Sequence, residues 1–211
     1  MAAKRRGGRQ KAVSDLKRGL ILDAARKVFE AEGLDGASLR AIAAAAGYTP
    51  AALYFHFESK EAIYAEVLRG SLANLGQAVE RAISRAKTPA DRLRSAAMAF
   101  FRYYADNPRD LDLGFYLFRG GMKPHGLGKE RDEMLNSALK AALHPVAEAA
   151  EALGARREEA NLLMVGTFAH AAGLLLLAHT GRMRMFGVSA PSLMERFVES
   201  AIAALTEKQK R

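Results

Sequence analysis

From Leu16 onward, apolar residues recur three and four positions apart and almost nowhere alternate, so the chain is committed to packing helix against helix. A first helix is expected from Leu16 to Glu32, with Leu20, Ile21, Ala24, Val28 and Phe29 on one face and Gly33 just past its end. Ser38 reads as the N-cap of a short second helix, Leu39 to Ala46, whose inward side is Leu39, Ile42, Ala43 and Ala46. Gly47 closes it. Thr49-Pro50 is a fresh start, a capping hydroxyl followed by proline where its missing N–H costs nothing. This third helix runs to Phe55 or His56, and Ser59, followed by Glu61 and Ala62, caps a fourth that extends to about Ala86.

Pro89 opens a fifth helix with Leu93, Ala97, Phe100, Phe101 and Tyr104 as its apolar side, closed by Asn107-Pro108. Asp110 to Arg119 is a short apolar helix, and GGMKPHGLG after it is the clearest loop in the chain. Longer helices follow at Lys129–Leu153 and Arg156–His179, and Pro145 is expected to kink or divide the first of them near His144. A loop over Gly181–Ala190 leads to the last helix, Pro191 to about Glu207. The expected fold is all-α with about nine helices. It comprises a flexible basic arm at 1–15, a three-helix unit at 16–60 and a larger helical body at 61–211.

Charge is concentrated at the front. The formal net charge is +9, and residues 1–18 hold seven Lys and Arg against Asp15, two thirds of the excess. Such a run is either a solvated tail or an arm that tracks phosphates or enters a minor groove. Past Met1 the first twelve positions offer no large apolar residue to anchor it in a membrane surface. With no cysteine, disulfide frameworks and thiolate zinc sites are excluded. The longest apolar run, Ala171–Ala178, falls well short of the roughly 18 residues that span a bilayer. A cytoplasmic protein without a membrane partner is expected. No paired carboxylates, phosphate loop or nucleophile–base motif points to an enzyme, and neither a metal nor another cofactor is expected.

Two helices joined by a glycine turn, the second short and polar-capped, describe a helix-turn-helix. Residues 20–64, LILDAARKVFEAEGLDGASLRAIAAAAGYTPAALYFHFESKEAIY, resemble the DNA-binding domain of the TetR family of bacterial transcriptional regulators. The matching residues are Ala24-Ala25, Phe29, Gly33, Ser38-Leu39, Ile42-Ala43, Gly47 and the run Leu53 to Phe57 followed by Ser59-Lys60-Glu61. The resemblance implies a homodimer of nine-helix protomers, a small-molecule pocket in each body, and ligand-controlled release of a double-stranded DNA operator.

It also implies that Tyr54, His56 and Lys60 meet DNA phosphates, a packed histidine between helices being the other reading of His56. Ser38 and Thr49 are N-caps first, with hydroxyls that are free to donate to phosphate as well. Arg40, on the exposed side of the second helix, is the expected base reader, because a guanidinium bonds guanine O6 and N7 together. Pro50, Ala51, Ala52 and Phe55 face outward on the third helix and offer thymine methyls contact without hydrogen bonds. Here the chain departs from many family members, which place a polar or basic side chain at one of these positions.

In the body, Phe101, Tyr104, Phe115, Phe118, Met122, His125, Met164, Thr167 and Phe168 are the candidates for lining an apolar pocket, ordinary core being the alternative for each. FAHAAGLLLLA, residues 168–178, resembles the segment that pairs with the last helix across the family's four-helix dimer interface. The expected function is a ligand-responsive regulator, a repressor released by an apolar or aromatic molecule. The alternative is an architectural DNA-binding protein or an activator without an effector.

Overall fold

The computed structural model describes residues 2–114 and 126–209, and among them there are helices and turns but no strand. Four expected ligand contacts, Phe115, Phe118, Met122 and His125, lie outside the described residues.

Helix α1 spans Ala2–Gly36, so the segment expected as a flexible arm is helical from its second residue. The physical reason is that Ala, Lys, Arg and Gln are good helix formers, and extending an existing helix needs no new nucleus. Near the far end Gly33, at φ 71° and ψ 179°, kinks the helix in a conformation open essentially to glycine alone. Leu20, expected inward, is half exposed, and Ala25 takes its place beside Ile21, Ala24, Val28 and Phe29 in the core. The buried stripe thus follows 21, 24, 25, 28 and 29, and Leu20 falls on its outer edge.

The next elements are α2 at Leu39–Ala46, α3 at Pro50–Tyr54 and α4 at Lys60–Ile83. After them come α5 at Pro89–Asp106 and α6 at Pro108–Gly114. Helix α7, Lys129–Ala152, passes through Pro145 undivided. Proline removes one backbone donor there. Leu143, Val146, Ala147, Ala149 and Ala150 are buried around it, and this packing keeps the segment helical across the gap. Helix α8 covers Arg157–His179, a 3-10 turn covers Arg182–Phe186, and α9 covers Ala190–Gln209.

The helices form two compact units, one of Met1–Ser71 with Arg109–Leu135 and one of Leu72–Pro108 with Asn136–Arg211. The first unit therefore runs past residue 60 into α4, because Ile63, Tyr64, Val67 and Leu68 continue its core. Tyr64 packs edge-on against Phe29 at 4.8 Å, and its hydroxyl donates to the Leu113 carbonyl at 2.8 Å. Arg26 pairs with the buried Asp110, and Arg109 with Glu30 at 2.9 Å, which ties α6 to α1. In the second unit α5 packs on α8 and α9, burying Leu93, Ala97, Phe100, Phe101 and Tyr104.

By length and composition α8 is long and apolar enough to cross a membrane, with an 18-residue window of mean hydropathy 1.7. Single polar residues such as Thr167 and His170 break its apolar runs, which is why counting uninterrupted residues missed it. Only 28% of that window is buried, so α8 presents an apolar face outward.

Candidate nucleic-acid interface

Local chemistry sets the geometry of α2 and α3. Ser38 Oγ accepts the Ala41 N–H at 3.1 Å, and Thr49 Oγ1 accepts the Ala52 N–H at 3.2 Å. Each cap satisfies an orphan helix donor and leaves its own hydroxyl proton to give elsewhere. Gly47, at φ 73° and ψ 27°, turns the chain, and the Tyr48 N–H reaches back to the Ala43 carbonyl at 2.8 Å. Ile42, Ala43, Leu53 and Phe57 are buried and hold both helices to the core. As a consequence Arg40, Thr49, Pro50, Ala51, Tyr54 and Phe55 are all exposed, together with Ser38 and Ala44. Phe55 is 89% exposed and Tyr54 60%, unusual values for aromatic side chains on one small unit.

Two cations behave differently from what charge alone suggests. Lys60 Nζ donates to the carbonyls of Leu34 at 2.9 Å, Ala37 at 3.3 Å and Asp35 at 3.5 Å. An ammonium has three protons, and these contacts occupy them on the corner between α1 and α2. Arg18 belongs by sequence to the basic run of residues 1–18. Its guanidinium donates to the His56 carbonyl at 2.8 Å, lies 4.2 Å from the centre of the Phe57 ring, and pairs with Glu66 at 3.1 Å. The sequence signal was its position one turn ahead of Ile21, on the buried edge of α1. Burial pushes the Glu66 carboxyl up, but Arg69 and Arg18 outweigh it and hold the group below the ordinary carboxylate range.

His56 is half buried and borders a cleft of ≈ 640 Å³ with Arg18, Glu58, Glu66, Arg131 and Met134. Glu58 pairs with Arg131, whose guanidinium also donates to the Leu127 carbonyl at 3.1 Å. Among the described residues no cluster of three His, Asp or Glu side chains is placed to hold a metal ion.

In the other unit, Phe101, Tyr104, Met164 and Thr167 are buried, and Thr167 spends its hydroxyl proton on the Leu163 carbonyl at 2.8 Å. Phe168 is half buried and meets Phe100 edge-on at 5.9 Å. A cleft of ≈ 570 Å³ opens elsewhere in this unit, over Met98, Ala99 and Tyr103 and beside Arg94 and Glu199. Among the described residues, none of the expected ligand contacts lines it. Arg94 grips Glu199 through two nitrogens at 2.5 and 3.0 Å, which holds that carboxyl below its usual range.

Comparison with known proteins matches residues 21–67 to the bacterial regulatory proteins of the tetR family. The chain is 38% identical over 99 residues to the HTH-type transcriptional activator FasR of Mycolicibacterium smegmatis, covering 47% of this chain and 44% of that one. It is 28% identical over 156 residues to the HTH-type transcriptional repressor NicS of Pseudomonas putida, covering 74% and 73%. The fold is shared with a transcriptional regulator FadR from Bacillus subtilis solved with stearoyl-CoA. There the TM-score is 0.67 at 18% identity, over 87% of this chain and 96% of that one. The matched stretch thus spans less than half of the length of FasR.

Proposed function

This chain belongs to the TetR family of bacterial regulatory proteins, and on that premise we propose that it is a cytoplasmic DNA-binding transcriptional regulator acting as a homodimer. The observation that carries the reading is the outward face of α2 and α3, where Arg40, Tyr54, Phe55 and two capping hydroxyls are exposed together. Arg40 supplies a bidentate donor for guanine in a major groove. Ser38, Thr49, Tyr54 and His56 supply hydroxyl and ring N–H donors for phosphates, and the basic start of α1 adds a sequence-independent attraction.

Two copies place two such faces on half-sites one helical turn apart, about 34–36 Å. The apolar outer stripe of α8, with Leu162, Val165 and Leu176 each more than half exposed, supports pairing through this helix. The regulator is a repressor released by a small apolar or aromatic molecule bound among the aromatic residues of the second unit. Release follows if the molecule prefers a conformation in which the two heads no longer match the half-sites.

A footprint on the promoter of the protein's own gene tests the operator. Gel shifts then test release, with stearoyl-CoA, the ligand held by FadR, among the molecules titrated. A protected palindrome abolished by one ligand is the expected result. Protection that no ligand disturbs supports instead an effector-free regulator, and FasR, an activator by name, makes transcription output the measurement that decides the sign.

A further inference from the structure

Resting on the reading of α2 and α3 as the DNA-contacting pair, we propose that α3 recognises thymine through its 5-methyl group. Arg40 then supplies the hydrogen-bonded half of the readout. From Gly47 to Phe57 the chain contains no Asn, Gln, Asp, Glu, Lys or Arg. Those are the side chains that read adenine, cytosine and guanine in the major groove by hydrogen bonds. The groove offers one apolar signal, the thymine methyl. The exposed surface of α3 is matched to it. Pro50, Ala51 and Phe55 present carbon, and Phe55 leaves nearly its whole ring in solvent.

The hydroxyl of Tyr54 and that of Thr49 are the polar groups on this exposed face, and Thr49 also accepts the Ala52 N–H. Ala44 and Ala45 near the end of α2 are exposed as well and also present only carbon. Leu53 and Phe57 are buried and fix α3 in orientation, which makes the patch a rigid reader rather than a mobile one.

The test uses full-length protein and a site selected from a randomised duplex pool. Each thymine of that site is replaced in turn by uracil, which differs only by the methyl group. One or two positions in each half-site are expected to lose about fourfold in affinity, the worth of one buried methyl. Replacing cytosine by 5-methylcytosine in a thymine-to-cytosine variant of those positions should recover most of that factor. Phe55→Ala, at a side chain the core does not use, should make thymine and uracil sites bind alike, whereas Arg40→Ala should leave the difference intact. A selected site whose uracil versions all bind within twofold of the original overturns the proposal while leaving DNA recognition by this face standing. Failure to select any site defeats both.

Discussion

A lysine at the start of α4 and an arginine near the start of the core of α1 show how much a charge's neighbours decide its role. Lys60 reaches carbonyls 23 to 26 residues away, and Arg18 reaches one 38 residues away. Arg18 ties the exit of α3 to α1, and Lys60 ties the start of α4 to the corner between α1 and α2. Such long-range bonds leave no local pattern of their partners, so the sequence holds no sign of the Lys60 contacts and, for Arg18, only its position one turn ahead of Ile21. The caps at Ser38 and Thr49 and the burial of Ile42 and Ala43 were legible, because capping and helical spacing act within one or two turns. Lys60→Met is expected to destabilise the first unit by about 1–2 kcal/mol, the scale of hydrogen bonds made by a half-exposed charged group. DNA affinity should fall for every sequence alike. The salt slope of binding distinguishes the mechanisms: it should stay unchanged if Lys60 positions α3, and should drop by about 0.9 per lost phosphate contact if it grips DNA.

At the scale of the elements, boundaries followed punctuation closely, with α2 as expected and α5 opening at Pro89. The departures share one cause, that packing and propagation outweigh a local breaker. Helix α7 runs through Pro145 undivided, and α1 starts well before its apolar stripe does. Gly33 is a breaker that holds. Its φ of 71° with ψ of 179° is strained for any side chain, and Gly33→Ala is expected to cost about 1–3 kcal/mol, read from urea denaturation of the variant. A pH effect belongs to the pair α8 and α9. Glu159 at the start of α8 bonds Lys208 of α9 at 3.1 Å and its neighbour Arg156 at 3.1 Å, and these hold its carboxyl down to about 2. A folded value below the ordinary 4.5 means the contribution is present above about pH 4.5 and disappears as pH falls toward 2. Glu159→Gln should therefore melt below the unsubstituted protein at pH 6, with the gap closing between pH 4.5 and 2. Because the pair is exposed, high salt should narrow the gap at pH 6 as well.

At the scale of the whole molecule, α8 carries an apolar face that the described residues of one chain leave uncovered. Leu162, Val165, Ala169, Gly173 and Leu176 lie along the exposed side of α8 at spacings of three and four. A monomer gains nothing by wetting this stripe, and small Ala169 and Gly173 between the larger residues permit close approach of a second helix. Resemblance had singled out residues 168–178 as a pairing segment. The exposure adds Leu162 and Val165 and separates the outer face from Ala171, Leu174 and Leu175, which the chain's own core uses. Combining Val165→Arg with Leu176→Glu changes only exposed positions, so the circular dichroism spectrum and melting temperature should change little. Sedimentation should then show a 22.9 kDa monomer in place of a species of twice that mass. Affinity for a two-half-site operator should fall at least a hundredfold, because the second half-site no longer binds as an intramolecular event. Affinity for an isolated half-site should be unchanged. A variant that stays dimeric would place the interface elsewhere on the chain, and the exposed stripe of α8 would then need a different partner.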